Sequence, residues 1–167
     1  MNRLFLAIPV TIFDYQGLQD DFVSIIQGKW TIPQNLHLTL NFFGGTFEKE
    51  FLIKTFSTLK LKVEPSDLEG LSLLTHNKIL YAQTQNDSLF TLHNQIREAL
   101  MFPVEQEFIP HVTLMRIKKI NHPTLFEQKL RTYDKKIIGT VHPRIQLIQS
   151  HITATGAQYT LLKEFSS

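Results

Sequence analysis

The 167-residue chain predicts an α+β fold with mainly antiparallel sheets, arranged as two similar lobes facing each other. Three observations carry that reading. Short strand-like segments alternate with amphipathic helical segments along the whole chain. Several of the strands follow one another as hairpins, which favours antiparallel pairing over a doubly wound parallel sheet. A tetrapeptide pattern of His, aliphatic, Thr, Leu occurs twice, once in each half.

Taken in order, residues 3–10 are apolar nearly throughout and read as a buried strand. Residues 14–27 place Leu18, Phe22, Ile25 and Ile26 at helical spacing. Residues 36–43 set Leu36, Leu38, Leu40 and Phe42 against His37, Thr39, Asn41 and Phe43, a strand with one buried face. Gly44 and Gly45 end it. Phe51, Leu52, Phe56 and Leu59 make residues 49–61 a second helix. Residues 68–74 and 78–84 read as a strand pair around His76 and Asn77. Residues 87–101 open on a good capping residue and carry Leu89, Leu92, Ile96 and Leu100, a third helix. Residues 109–117 are a strand, with Pro110 at its start, where proline is tolerated. Residues 123–133 are a short helix, and residues 137–150 and 158–165 a closing strand pair.

Composition narrows the function classes. With 43% hydrophobic and 19% charged residues the chain is a soluble globular type. No linker rich in Gly, Ser or Pro divides it, so one domain spanning residues 1–167 is expected. The absence of cysteine excludes disulfides, thiol catalysis and cysteine metal sites. No apolar run approaches a membrane span, and the opening is too short for a signal peptide, so the cytoplasm is expected. A net charge of +2, from 17 Lys+Arg against 15 Asp+Glu, is too small to predict nucleic-acid binding yet allows a local basic cleft.

The chemistry rests on His37-Leu38-Thr39-Leu40 and His111-Val112-Thr113-Leu114. In a strand, residues two apart share a face, so each copy presents an imidazole and a hydroxyl together. A bare His-x-Thr occurs four times here, against about 0.7 expected by chance. Requiring Leu next lowers the expectation to about 0.09; three copies pass, and only these two are strand-borne, the third being His122-Pro123-Thr124-Leu125. His122 precedes Pro123 and reads as structural; His151 reads as an exposed strand-end residue. Two histidines and two hydroxyls around one volume suit phosphoryl chemistry by paired acid and base. The hydroxyls can donate to phosphate oxygens as charge develops. A two-histidine metal site lacks an acidic third ligand on either strand.

These residues resemble the RNA 2′,3′-cyclic phosphodiesterases, or 2′-5′ RNA ligase-like proteins, of the two-histidine (2H) phosphoesterase superfamily. The likeness is carried by Arg3-Leu4-Phe5-Leu6-Ala7-Ile8, by Trp30 with residues 35–44, by residues 108–116, and by Ser150-His151-Ile152-Thr153 with Gly156 and Tyr159. It implies a bilobal fold with pseudo-two-fold related lobes, one motif in each, around a central cleft with helices outside. It implies hydrolysis of an RNA 2′,3′-cyclic phosphate end to a 2′-phosphomonoester, with no cofactor and no metal. His37 would be the proton donor and His111 the proton acceptor, with Thr39 and Thr113 holding the phosphate. The expected partner is RNA or an oligonucleotide with a cyclic phosphate end, met by a monomer with no membrane involved. Asn41 stands where the family often has lysine, and Gly45 where it often has an acidic residue, which bears on substrate preference.

Two substrate-binding candidates follow from strand alternation. Phe43 shares the face of His37, where it either stacks on a nucleobase or packs under a loop. Arg116 can neutralise phosphate if the strand bulges near Met115, since strict alternation points it away from His111 and Thr113. Alternatives are a phosphodiesterase or ligase acting on 2′-5′ linkages or another cyclic phosphate, and a non-catalytic RNA-binding module.

Overall fold

The computed structural model describes residues 3–103 and 107–165. In chain order the elements are β1 (Arg3–Ile12), α1 (Tyr15–Asp21), β2 (Ile26–Trp30), β3 (His37–Gly44), α2 (Lys49–Ser57), β4 (Ser66–Glu69) and β5 (Leu71–Leu74). They continue with β6 (Ile79–Gln83), α3 (Asp87–Ala99), β7 (His111–Ile120), α4 (Pro123–Thr132), β8 (Ile137–Val141), β9 (Ile145–Thr153) and β10 (Gly156–Phe165). A 3-10 turn at Pro33–Asn35 leads into β3.

The strands run β10-β9-β1-β3-β7-β6-β5, with β2 beside β7 and with β8 joining β1 to β4. Every one of these pairings is antiparallel. A strand–helix–strand–helix–strand unit occurs twice: β1-α1-β3-α2-β4, and β6-α3-β7-α4-β8. The equivalent strands β3 and β7 pair with each other, as do β4 and β8. Both pairings join a strand to its own counterpart, which is what a pseudo-two-fold relation between lobes requires. β2, β5 and the β9–β10 hairpin are additions to the repeat.

The lobes share one apolar core. Leu4, Leu6 and Ile8 of β1 and Leu38 and Leu40 of β3 enter it, as strand alternation demands. α3 begins at Asn86, whose side chain accepts from the Ser88 N–H, and buries Leu89, Leu92 and Ile96 along one stripe. Phe56 of α2 packs on Phe43 of β3 and Phe165 of β10, with ring centroids 5.8 Å away in each case. Phe22, just past α1, packs on Phe126 of α4 and on Tyr133, both at 6.0 Å. No helix among the described residues is long and apolar enough to cross a membrane.

Three sequence expectations shift. The helix expected over residues 14–27 stops at Asp21, and Ile26–Trp30 is a strand against β7. Phe22, Ile25 and Ile26 are buried as their spacing required, but pairing with a strand some ninety positions away decides the backbone. Gly28 permits that pairing, because a Cβ there would lie 2.2 Å from the Arg116 carbonyl oxygen. The strand expected over residues 137–150 is broken at residues 142–144, which leaves β8 between β4 and the end of β1, and β9 between the start of β1 and β10. The segment 68–74 is likewise split, at Gly70, whose φ of +82° is a left-handed conformation suited to glycine.

Candidate active site

β3 and β7 meet at one cross-strand pair, Leu38 and Val112, both fully buried. Their neighbours therefore point the other way, toward the open face of the sheet. His37 and Thr39 come from β3, and His111 and Thr113 from β7. All four are half-buried and line one cleft of about 330 Å³. Both histidines stand at the first residue of their strand.

Each imidazole is held in the same way. His37 Nδ1 lies 2.7 Å from the Asn35 carbonyl, and His111 Nδ1 lies 2.6 Å from the Ile109 carbonyl. A carbonyl accepts only, so each Nδ1 carries a hydrogen and donates it. Each Nε2 is left for chemistry as acceptor when neutral and donor when protonated. His37 Nε2 lies 2.9 Å from Thr39 Oγ1. When His37 is neutral the threonine hydroxyl donates to it; when His37 is protonated the bond reverses.

The surroundings of the two rings differ. His37 packs against Phe5 at 5.0 Å and edge-on to Tyr159 at 5.4 Å. His111 packs edge-on to Tyr81 at 5.5 Å. Burial lowers the His37 pKa from the usual histidine value, the backbone bond to Asn35 opposes the shift, and the nearby His111 adds to it. Burial raises the Tyr159 pKa, with the Arg116 charge pulling the other way. Tyr15 braces the floor from behind. Its hydroxyl donates to the Thr31 carbonyl at 2.7 Å and reaches the Leu114 carbonyl at 3.3 Å, and burial pushes its pKa to about 12. Thr31 in turn donates from Oγ1 to the Thr113 carbonyl at 2.9 Å.

Bulges decide which further side chains reach the cleft. On β3 the register skips Leu40 and then Phe43 relative to β1. The alternation slips by one, so Phe42 is 56% exposed and Phe43 only 3%. Phe43 is therefore a core residue against Phe47, Phe56 and Phe102, and the ring beside the cleft is Phe42. Strict alternation pointed to the wrong phenylalanine. On β7 the register skips Leu114, so Leu114 and Met115 both face the core and Arg116 turns to the cleft. That is the bulge near Met115 on which a cleft-facing Arg116 depends.

Arg3, Phe5, Thr31 and Tyr159 also line the cleft and were not among the sequence candidates. Arg3 and Phe5 share one face of β1, a signal masked because both faces of that strand are largely buried. Asn41 donates weakly, at 3.4 Å, to the His93 carbonyl, and its Oδ1 is buried without a protein partner. Positive charge at the cleft thus comes from Arg3 and Arg116 rather than from position 41. Among the described residues no group of three or more His, Cys, Asp or Glu side chains is placed to hold a metal ion.

Comparison with known proteins points the same way. Residues 79–151 match the family model for LigT-like phosphoesterases. The chain is 31% identical to a protein of Aquifex aeolicus named RNA 2′,3′-cyclic phosphodiesterase, over 84% of this chain and 82% of that one. It is 25% identical to a protein of the same name from Methanocaldococcus jannaschii, over 98% and 99% of the two chains. Its fold superposes on the crystal structure of E. coli LigT complexed with 3′-AMP, with a TM-score of 0.75, 19% identity, and coverage of 98% and 97%. With nearly a third of positions identical across more than four-fifths of each chain, and the same fold throughout, the chain belongs to the LigT-like phosphoesterase family and is an enzyme of the phosphoesterase class.

Proposed function

We propose that this enzyme hydrolyses the 2′,3′-cyclic phosphate at an RNA end to a 2′-phosphomonoester, using His37 and His111 as an acid–base pair. The observation that carries the reading is the cleft itself. Two imidazoles whose Nδ1 hydrogens are tied to backbone carbonyls flank one small volume together with two threonine hydroxyls. Relatives named for that reaction supply the substrate class.

The step balances without a further reagent. His111 Nε2 accepts a proton from water as the water oxygen bonds to phosphorus. The P–O3′ bond breaks, and His37 Nε2 donates its proton to the departing 3′ oxygen. The products are a 2′-phosphate and a 3′-hydroxyl, and the two histidines end with their proton states exchanged. Thr39 and Thr113 donate to the non-bridging oxygens, whose charge grows in the transition state. Arg116 and Arg3 offset the phosphate charge. Burial lowers the His37 pKa, and the anionic phosphate opposes that shift by favouring the proton that the ring must donate.

The test is a short RNA ending in a 2′,3′-cyclic phosphate, incubated with chelator and with wild type or His111→Ala, and the terminal phosphate position read out. Conversion to the 2′-phosphate by wild type and its loss in the variant are expected. Absence of turnover by wild type, with binding retained, would favour the non-catalytic module; turnover only of a 2′-5′ linked oligonucleotide would move the substrate.

A further inference from the structure

Beside the catalytic cleft lies a second, larger cavity of about 700 Å³, between α3, the middle of β3 and the segment leading into β7. Thr39, Phe42 and His111 line both, so the two spaces adjoin. We propose that the larger cavity is the subsite for the nucleotide that precedes the cyclic-phosphate end. The inference rests on the RNA-end reading above and adds where the RNA body goes.

Size and lining argue for it. The cleft of about 330 Å³ has room for a cyclic phosphate and its ribose, while 700 Å³ lies within the range of small-ligand sites. Phe42, Phe90 and Ile109 are 56%, 44% and 40% exposed, and all three line this one concavity. Exposed apolar side chains are ordinary when scattered, but a group gathered in a concavity marks a binding surface. Phe90 meets Phe108 edge-on at 5.4 Å, and Phe108 stacks flat on His93, with centroids 4.1 Å apart and planes within 6°. These rings form a ready platform, and single-stranded RNA is bound by stacking its bases on such rings. Asn94 and Arg97 project from one face of α3 into the same cavity. The amide suits a base edge, and the guanidinium suits the phosphodiester that links the two nucleotides.

The competing exit for the RNA runs over β2 and β7. Lys29 sits opposite Arg116 on that face, with Lys118 two residues further along. It offers charge but no exposed ring, and is expected to add salt-dependent affinity of a general kind.

The experiment compares kcat/KM for a nucleoside 2′,3′-cyclic phosphate and for a dinucleotide with the same cyclic end. Wild type should prefer the dinucleotide by about tenfold or more. Phe90→Ala, which removes the platform edge, and Asn94→Trp, which fills the cavity, should each bring that ratio to within about twofold of unity. Thermal melts establish that both variants are folded. No dinucleotide preference in wild type overturns the inference. So does a preference that survives both substitutions, or one abolished instead by Lys29→Ala with Lys118→Ala. Turnover of neither substrate overturns the RNA-end reading itself.

Discussion

Leu38 and Val112 face each other across the β3–β7 seam, and that single buried pair sets the geometry of the site. Each lies between a histidine and a threonine in its own strand. Their inward orientation forces His37, Thr39, His111 and Thr113 outward, onto one face and into one cleft.

Truncating either imidazole should remove turnover while leaving the fold intact. For His37→Ala and His111→Ala a loss of about 10²–10⁴ in kcat is expected from each. The double variant should lose far less than the product of the two, since neither half of the pair works alone. Steady-state rates on a cyclic-phosphate RNA, with binding measured separately, check this. A loss confined to KM would remove the acid–base assignment.

The pH profile of kcat/KM should be a bell, because one ring must be protonated and the other neutral. Burial and the neighbouring His111 lower the His37 pKa, so the acidic limb should fall below the ordinary histidine value of about 6.5. The limbs belong to the coupled pair rather than to one ring each. A flat profile from about pH 5 to pH 9 would count against paired roles.

The same shift has a consequence for stability. The fold disfavours protonated His37, so the unfolded chain takes up the proton first as pH falls. Stability should therefore be undiminished by this residue above the unfolded pKa of about 6.5, and should decline as pH falls through it toward the lower folded value. Urea midpoints at pH 7.5 and 5.5 measure the decline, and His37→Asn should reduce it. An equal decline in the variant would assign the effect to other groups.

Adjacent phenylalanines should behave oppositely. Phe43→Ala empties a core position and should cost about 3–5 kcal/mol of stability. Phe42→Ala should leave the melting temperature within about 2 °C, because the ring is largely exposed, and lower kcat/KM on RNA substrates. Paired thermal melts and kinetics decide it, and a reversed pattern would mean that β3 lacks its bulges.

Gly28 and Arg116 form a further testable pair. A Cβ at position 28 would stand 2.2 Å from the Arg116 carbonyl oxygen, so Gly28→Ala should push β2 off β7 and disturb Arg116. Arg116→Ala should raise KM with the fold preserved, while Gly28→Ala should lower both stability and activity. A Gly28→Ala protein with wild-type melting and kinetics would contradict the close approach.

Much of the fold was legible because local pattern and tertiary demand agreed. Residues 87–101 carried a cap and an apolar stripe, and α3 formed there. Residues 14–27 carried an apolar stripe too, but long-range pairing with β7 turned their end into a strand. A helical period in the sequence reports which residues are buried more securely than it reports the backbone that buries them.

By itself the sequence determined the α+β class, the duplicated His-x-Thr-Leu strands and the four side chains they present, because alternation along a strand is a local property. Only the tertiary structure decided that β3 and β7 lie side by side, that Phe42 rather than Phe43 borders the cleft, and that Arg116 turns into it. Those outcomes depend on register between strands distant in the chain, and one extra residue in a bulge reverses the face of everything beyond it.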